Sequence, residues 1–100
     1  MRPAHGSMTP TTGTVAVTAY CASGFIRQVF LKSATSSTTF DVTITDSNSD
    51  VVFSRENETG EISEYVDLPV YPANYALTIS NASVDEAFSY KLMIDEPVYS

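Results

Sequence analysis

The sequence holds one cysteine, one histidine and no tryptophan. With Cys21 alone, no disulfide can close within the chain, so the fold must rest on packing. This agrees with assembly in a reducing cytoplasm. The lone histidine, His5, lies in a Pro/Gly-rich opening stretch. A Ser-His-Asp or Cys-His arrangement needs its histidine held in place by a third group, and no G-x-S-x-G occurs. Basic residues are scarce as well. Five Lys and Arg stand against twelve Asp and Glu, a formal charge of −7. Nucleic acid gripped through its phosphates needs a basic face, so a nucleic-acid partner is not expected. Anionic membranes are disfavoured for the same reason. No apolar run approaches the roughly 20 residues that span a bilayer as a helix, and the opening MRPAHGSM has no apolar signal core.

What remains is strand-like. One hundred residues make one domain. The plainest segment is Thr39–Ile44, where Phe40, Val42 and Ile44 alternate with Thr39, Asp41 and Thr43. A period of two puts the apolar set on one face of a strand. An Asx-rich turn at 46–50 follows, then Val51–Arg55 with Val51 and Phe53 inward, completing a hairpin. Five further segments alternate in the same way: 14–20, 25–32, 65–70, 75–80 and 88–94. Pro69 has no N–H for a ladder, so its strand lies at a sheet edge or ends there. Turn signals recur every eight to twelve residues, and no stretch longer than a turn has helical period. The expected fold is all-β: a single antiparallel β-sandwich or jelly roll of about seven strands. The expected organisation is a flexible N-terminal arm at 1–13, a sandwich at 14–96 and a C-terminal tail at 97–100. Gly6-Ser7-Met8 reads as a cloning junction, with the native start at Met8.

Candidate chemistry is thin. The acids fall in turns, such as Glu56–Glu64, or on outward strand positions, such as Asp41 and Asp67. Solvated acids keep ordinary pKa values and make poor acid–base pairs. Asp46, Asn48 and Asp50 have the spacing that opens a calcium loop, but Val51 stands where that loop needs Gly and Asn57 where it needs Glu. No metal or cofactor is expected, and the chain reads as a non-enzyme. Asn57-Glu58-Thr59 and Asn81-Ala82-Ser83 match the glycosylation pattern by chance.

The interface candidates are Phe25, Arg27, Val29, Leu31, Tyr65 and Tyr71. In Phe25–Lys32 simple alternation puts Ile26, Gln28 and Phe30 on one face and Phe25, Arg27, Val29 and Leu31 on the other. Both faces carry apolar groups, and a one-core sandwich can bury only one. The other is expected to meet a second copy or another protein. Tyr65 and Tyr71 fall at outward or turn positions of the kind that serve interfaces and flat sugar contacts.

Two resemblances follow from these stretches. TTFDVTITD, RENETGEISEYVDLPV, NYALTISNAS and DEAFSYKLMI resemble segments of small virion structural proteins of tailed bacteriophages. That resemblance implies a non-enzymatic virion protein assembled in the host cytoplasm, first a capsid decoration or cement protein. Its partners would be capsid or other virion proteins, and it would form a homo-oligomer, simplest as a trimer on a three-fold axis. TFDVTITDSNSDVVFS, LPVYPANYALTIS and FSYKLMI also resemble PPC-like jelly-roll domains of secreted bacterial proteins. That alternative implies an accessory binding module for sugar or protein.

Overall fold

The computed structural model describes residues 2–96. It contains eight strands: β1 (Arg2–Met8), β2 (Val15–Cys21), β3 (Gly24–Ser33), β4 (Thr39–Thr45), β5 (Val51–Thr59), β6 (Glu61–Val70), β7 (Ala73–Ser80) and β8 (Phe88–Asp95). They form two four-stranded sheets, β1-β8-β3-β6 and β2-β7-β4-β5. Every neighbouring pair is antiparallel. Eight strands alternating between two sheets in this order make a jelly roll. The expected fold class is therefore found.

The core is the sum of the two inner faces. Ile26, Val29, Leu31, Phe88, Leu92 and Ile94 come from the first sheet. Phe40, Val42, Ile44, Tyr75, Leu77 and Ile79 come from the second. The alternation in β4, β7 and β8 produces this directly, since residues two apart share a face. β6 lies at an edge of its sheet, in keeping with Pro69. At that side Arg55 of β5 reaches Glu64 of β6 at 2.8 Å, tying the rim of one sheet to the rim of the other.

Three expectations need correction. The opening stretch is not a loose arm throughout, because Arg2–Met8 pairs with β8 along its whole length, from Arg2 opposite Ile94 to Met8 opposite Phe88. Backbone pairing needs no apolar side chains, so composition concealed it; Met8 supplies the one deeply buried group. Arg2 fastens the strand through Glu96 at 2.5 Å and the Tyr20 carbonyl at 2.7 Å. Second, the acidic stretch 56–64 is no loop. β5 and β6 run through it and turn at Gly60, whose φ of 73° and close approach to the Ser36 carbonyl oxygen leave no room for a Cβ. Third, Val51 is exposed, because the β4–β5 register shifts between Ile44 and Thr45. Met1 and the expected tail at 97–100 lie outside the described residues.

Candidate binding face

The two outer faces of the sandwich differ in chemistry. On the second sheet, Ala16, Thr78, Thr43 and Ser54 form one cross-strand row, and Thr18, Ala76 and Thr45 form the next. Those rows are small and mostly polar, with Tyr20 and Val51 exposed at the margins of the same face. On the first sheet, the outward residues are large and mixed. Pro3, Met93, Gln28 and Tyr65 make one row, and His5, Lys91, Phe30 and Ser63 the next. Beyond them, Phe25 lies between Asp95 and Pro69. This first-sheet face is the candidate site.

A bulge in β3 sets its composition. Between Ile26 and Gln28 the register shifts against both β6 and β8. Against β8 Arg27 is the extra residue, while on β6 both Val66 and Asp67 lie opposite it; the irregularity reverses the side-chain phase of β3 that follows. Val29 and Leu31, expected at an interface, are thereby turned inward and are fully buried. Phe30, expected to share a face with Ile26, is turned outward beside Gln28. Phe25 and Arg27 do lie on the outer face. The Arg27 guanidinium sits 4.2 Å from the Phe25 ring centroid and bonds Asp67 at 2.5 Å and Asp95 at 3.3 Å. Its pKa is raised, chiefly by the hydrogen bond to Asp67. The guanidinium charge is thus balanced: two carboxylates hold it beside an aromatic ring.

Tyr65 stands most clear of the surface, 83% exposed, on the rim strand β6 and directly across from Gln28. Gln28 donates from Nε2 to Ser63 Oγ at 3.2 Å. A shallow hollow beside Tyr65 is lined by Arg27, Val66 and Asp67. At the other end of the same face Lys32 borders two hollows, one with Gly60 and Glu61 and one with Ser7 and Ser89. Tyr71 is 74% exposed but lies in the turn after β6, where its amide donates to the Tyr75 hydroxyl at 3.0 Å. The face as a whole was hidden from sequence reasoning because the bulge is invisible to strict alternation. The Arg27-Gln28 pair, two polar residues in a row inside an apolar strand, was the one signal of it.

Asp41, Glu96 and Cys21 lie off this face and serve the fold. Asp41 accepts from the Asn57 amide at 2.9 Å and from Asn81 Nδ2 at 2.6 Å, which lowers its pKa. Both asparagines have positive φ, 56° and 52°, so Asp41 pins the irregularity within β5 and the bend after β7 at once. Glu96 is likewise lowered, by Arg2 first and then by the Ala22 amide. Burial raises the Cys21 thiol, leaving it a poor nucleophile. Asp46, Asn48 and Asp50 form a closed Asx turn: Asp46 Oδ1 accepts the amides of both Asn48 and Asp50. Among the described residues no group of three or more His, Cys, Asp or Glu is placed to hold a metal. Among the described residues no helix is long and apolar enough to cross a membrane.

No family model matches the chain, and no curated protein matches its sequence. Among solved structures the fold is similar to carbohydrate-binding module CBM36, solved in complex with calcium and xylotriose. The match covers 89% of this chain and 78% of that one, with a TM-score of 0.50 and 14% identity. At that identity the likeness is one of fold, a β-sandwich.

Proposed function

We propose that the chain is a non-catalytic binding module that holds a saccharide on the outer face of the β1-β8-β3-β6 sheet. The observation that carries the proposal is Tyr65, held 83% exposed on a flat rim strand with Gln28 across from it and Phe30 one row away. A pyranose ring has an apolar C–H face and a polar rim. An exposed tyrosine offers a flat apolar body with a wet hydroxyl, and Gln28, Ser63 and Asp67 supply donors and acceptors around it. The likeness to a carbohydrate-binding module supports the same reading. Affinity electrophoresis through gels of soluble neutral and acidic polysaccharides tests it. At least one polymer should retard the protein, and Tyr65→Ala should abolish that retardation with an unchanged circular-dichroism spectrum. No retardation in any gel, or full retardation of the variant, would refute it.

The virion role is the second reading. Eight-stranded jelly rolls serve both as lectin domains and as viral capsid proteins, so the architecture itself does not choose between them. In this reading the Phe25, Phe30, Tyr65 and Met93 surface packs on a shell protein, where apolar groups at the centre of an interface carry most of the energy. The measurement is light scattering alone and with emptied capsids. A monomer at high concentration that ignores the capsid removes the virion reading and leaves the saccharide one intact.

A further inference from the structure

The five basic side chains of this acidic chain divide by use. Each arginine is engaged: Arg2 with Glu96, Arg27 with Asp67 and Asp95, Arg55 with Glu64. Among the described residues, neither Lys32 nor Lys91 has a carboxylate within ion-pair distance. Both stand on the candidate face, on adjacent strands and diagonal to each other, since Lys91 is opposite Phe30 and Lys32 opposite Ser89. The neighbours of Lys91 on that face contain no acid. His5 and Phe30 lie directly across, Gln28 and Lys32 diagonally, and Ser89 and Met93 along its own strand. Its ammonium lies 5.7 Å from the Phe30 ring centroid. Lys32 has Glu61 across from it on β6 without an ion pair.

An excess of acid already keeps this chain soluble, so solubility does not explain unpaired lysines. Like charges in neighbouring cross-strand positions repel, and no adjacent carboxylate offsets that repulsion at Lys91. An arriving anion would. The other end of the face, at Arg27, is closed to anions by Asp67 and Asp95. The face is therefore polar along its length, with a neutralised aromatic end at Phe25 and an open cationic end at Lys91 and Lys32.

We infer that the saccharide held by this face is anionic, a polysaccharide bearing carboxylates on its sugar rings, with Lys91 and Lys32 pairing those carboxylates while Tyr65 and Phe30 stack on the rings. This rests on the saccharide reading above and names its ligand class. Neutral polymers would leave both ammonium groups unpaired, and polyanions without sugar rings would leave the aromatic groups unused.

The test uses the full chain with matched polymers: polygalacturonate, alginate and hyaluronate, each beside its carboxyl-reduced counterpart, with polyglutamate as a non-sugar polyanion. Affinity is read by calorimetry at low and at physiological salt. At least one native polymer should bind ten or more times tighter than its reduced form, and the difference should shrink with salt. Lys91→Gln should weaken native-polymer binding about tenfold, the scale of one charge-assisted contact, and leave the reduced polymer unaffected. Lys32→Gln should have a smaller effect in the same direction, because Glu61 lies opposite. Equal affinity for native and reduced polymers would overturn the anionic inference and keep the saccharide module. Equal affinity for polyglutamate would overturn it as mere charge attraction. Binding to none of the polymers would overturn the saccharide reading as well.

Discussion

Phe40 of β4 and Phe88 of β8 meet edge to face across the sandwich, ring centroids 5.0 Å apart and planes at 77°. Each is 1% exposed, and they come from opposite sheets. Because the chain has no disulfide, contacts of this kind carry the attachment of one sheet to the other. Phe40→Ala should destabilise by about 3–5 kcal/mol, the usual range for a buried Phe truncated to Ala. The double variant with Phe88→Ala should show a coupling of about 0.5–1.5 kcal/mol. Urea melts of the four proteins measure both. A loss below about 1 kcal/mol for Phe40→Ala would mean the two sheets are joined mainly elsewhere.

Asp41 and Glu96 predict how stability responds to acid. Both have pKa values lowered in the fold, Asp41 by the Asn57 amide and Asn81, Glu96 by Arg2 and the Ala22 amide. A carboxylate whose folded pKa lies below its unfolded one contributes stability that is full above the unfolded pKa, near 4. That contribution is lost as pH falls through the folded value. The melting temperature should therefore hold through neutral pH and decline below about pH 4. Asp41→Asn should melt lower at pH 7, because an amide accepts the Asn57 N–H less strongly than a carboxylate. It should also show a shallower acid decline, since one proton-linked group is gone. Parallel acid limbs for the two proteins would show that Asp41 contributes nothing to the pH dependence.

Much of the fold was legible because local and global preferences agree. In Phe40–Ile44, Tyr75–Ile79 and Phe88–Ile94 the alternation is unbroken, and the inward sets are the buried ones, with Tyr90 only part-buried beside Gly6. Pro69 marked an edge or a strand end, and β6 is an edge strand. The parts that were not legible are those where backbone pairing decides without side-chain pattern. β1 pairs through RPAHGSM, a run with no alternation of strand formers. β5 and β6 are rim strands of different sheets and carry glutamates around their connecting turn, so polarity masked the strands. For the candidate face, Tyr65, Phe25 and Lys91 were readable as outward, whereas Phe30 and Lys32 depend on a register shift that only the adjacent polar pair Arg27-Gln28 marks.

That shift yields the last prediction. Strict alternation in Phe25–Lys32 would put Phe30 with Ile26, and Val29 and Leu31 on the opposite face. The bulge at Arg27 instead places Ile26, Val29 and Leu31 together in the core, all at 0% exposure, and leaves Phe25 and Phe30 outside. The two arrangements predict opposite orders of stability. With the bulge, Leu31→Ala removes a fully buried side chain and should cost about 2–5 kcal/mol. Phe30→Ala and Phe25→Ala remove partly exposed rings and should cost about 1 kcal/mol or less each, the scale of a surface change plus a cation–π contact. The binding readout should invert this order: Phe30→Ala should weaken polysaccharide binding, while Leu31→Ala should leave affinity unchanged at temperatures where the variant stays folded. Deleting Arg27 removes the bulge and leaves Ile26, Val29 and Leu31 alternating inward against Phe25, Gln28 and Phe30; that protein should keep its core face and lose only the Asp67 and Asp95 ion pairs. Should Phe30→Ala prove more destabilising than Leu31→Ala in denaturant melts, the bulge is absent in solution and the face described here does not exist.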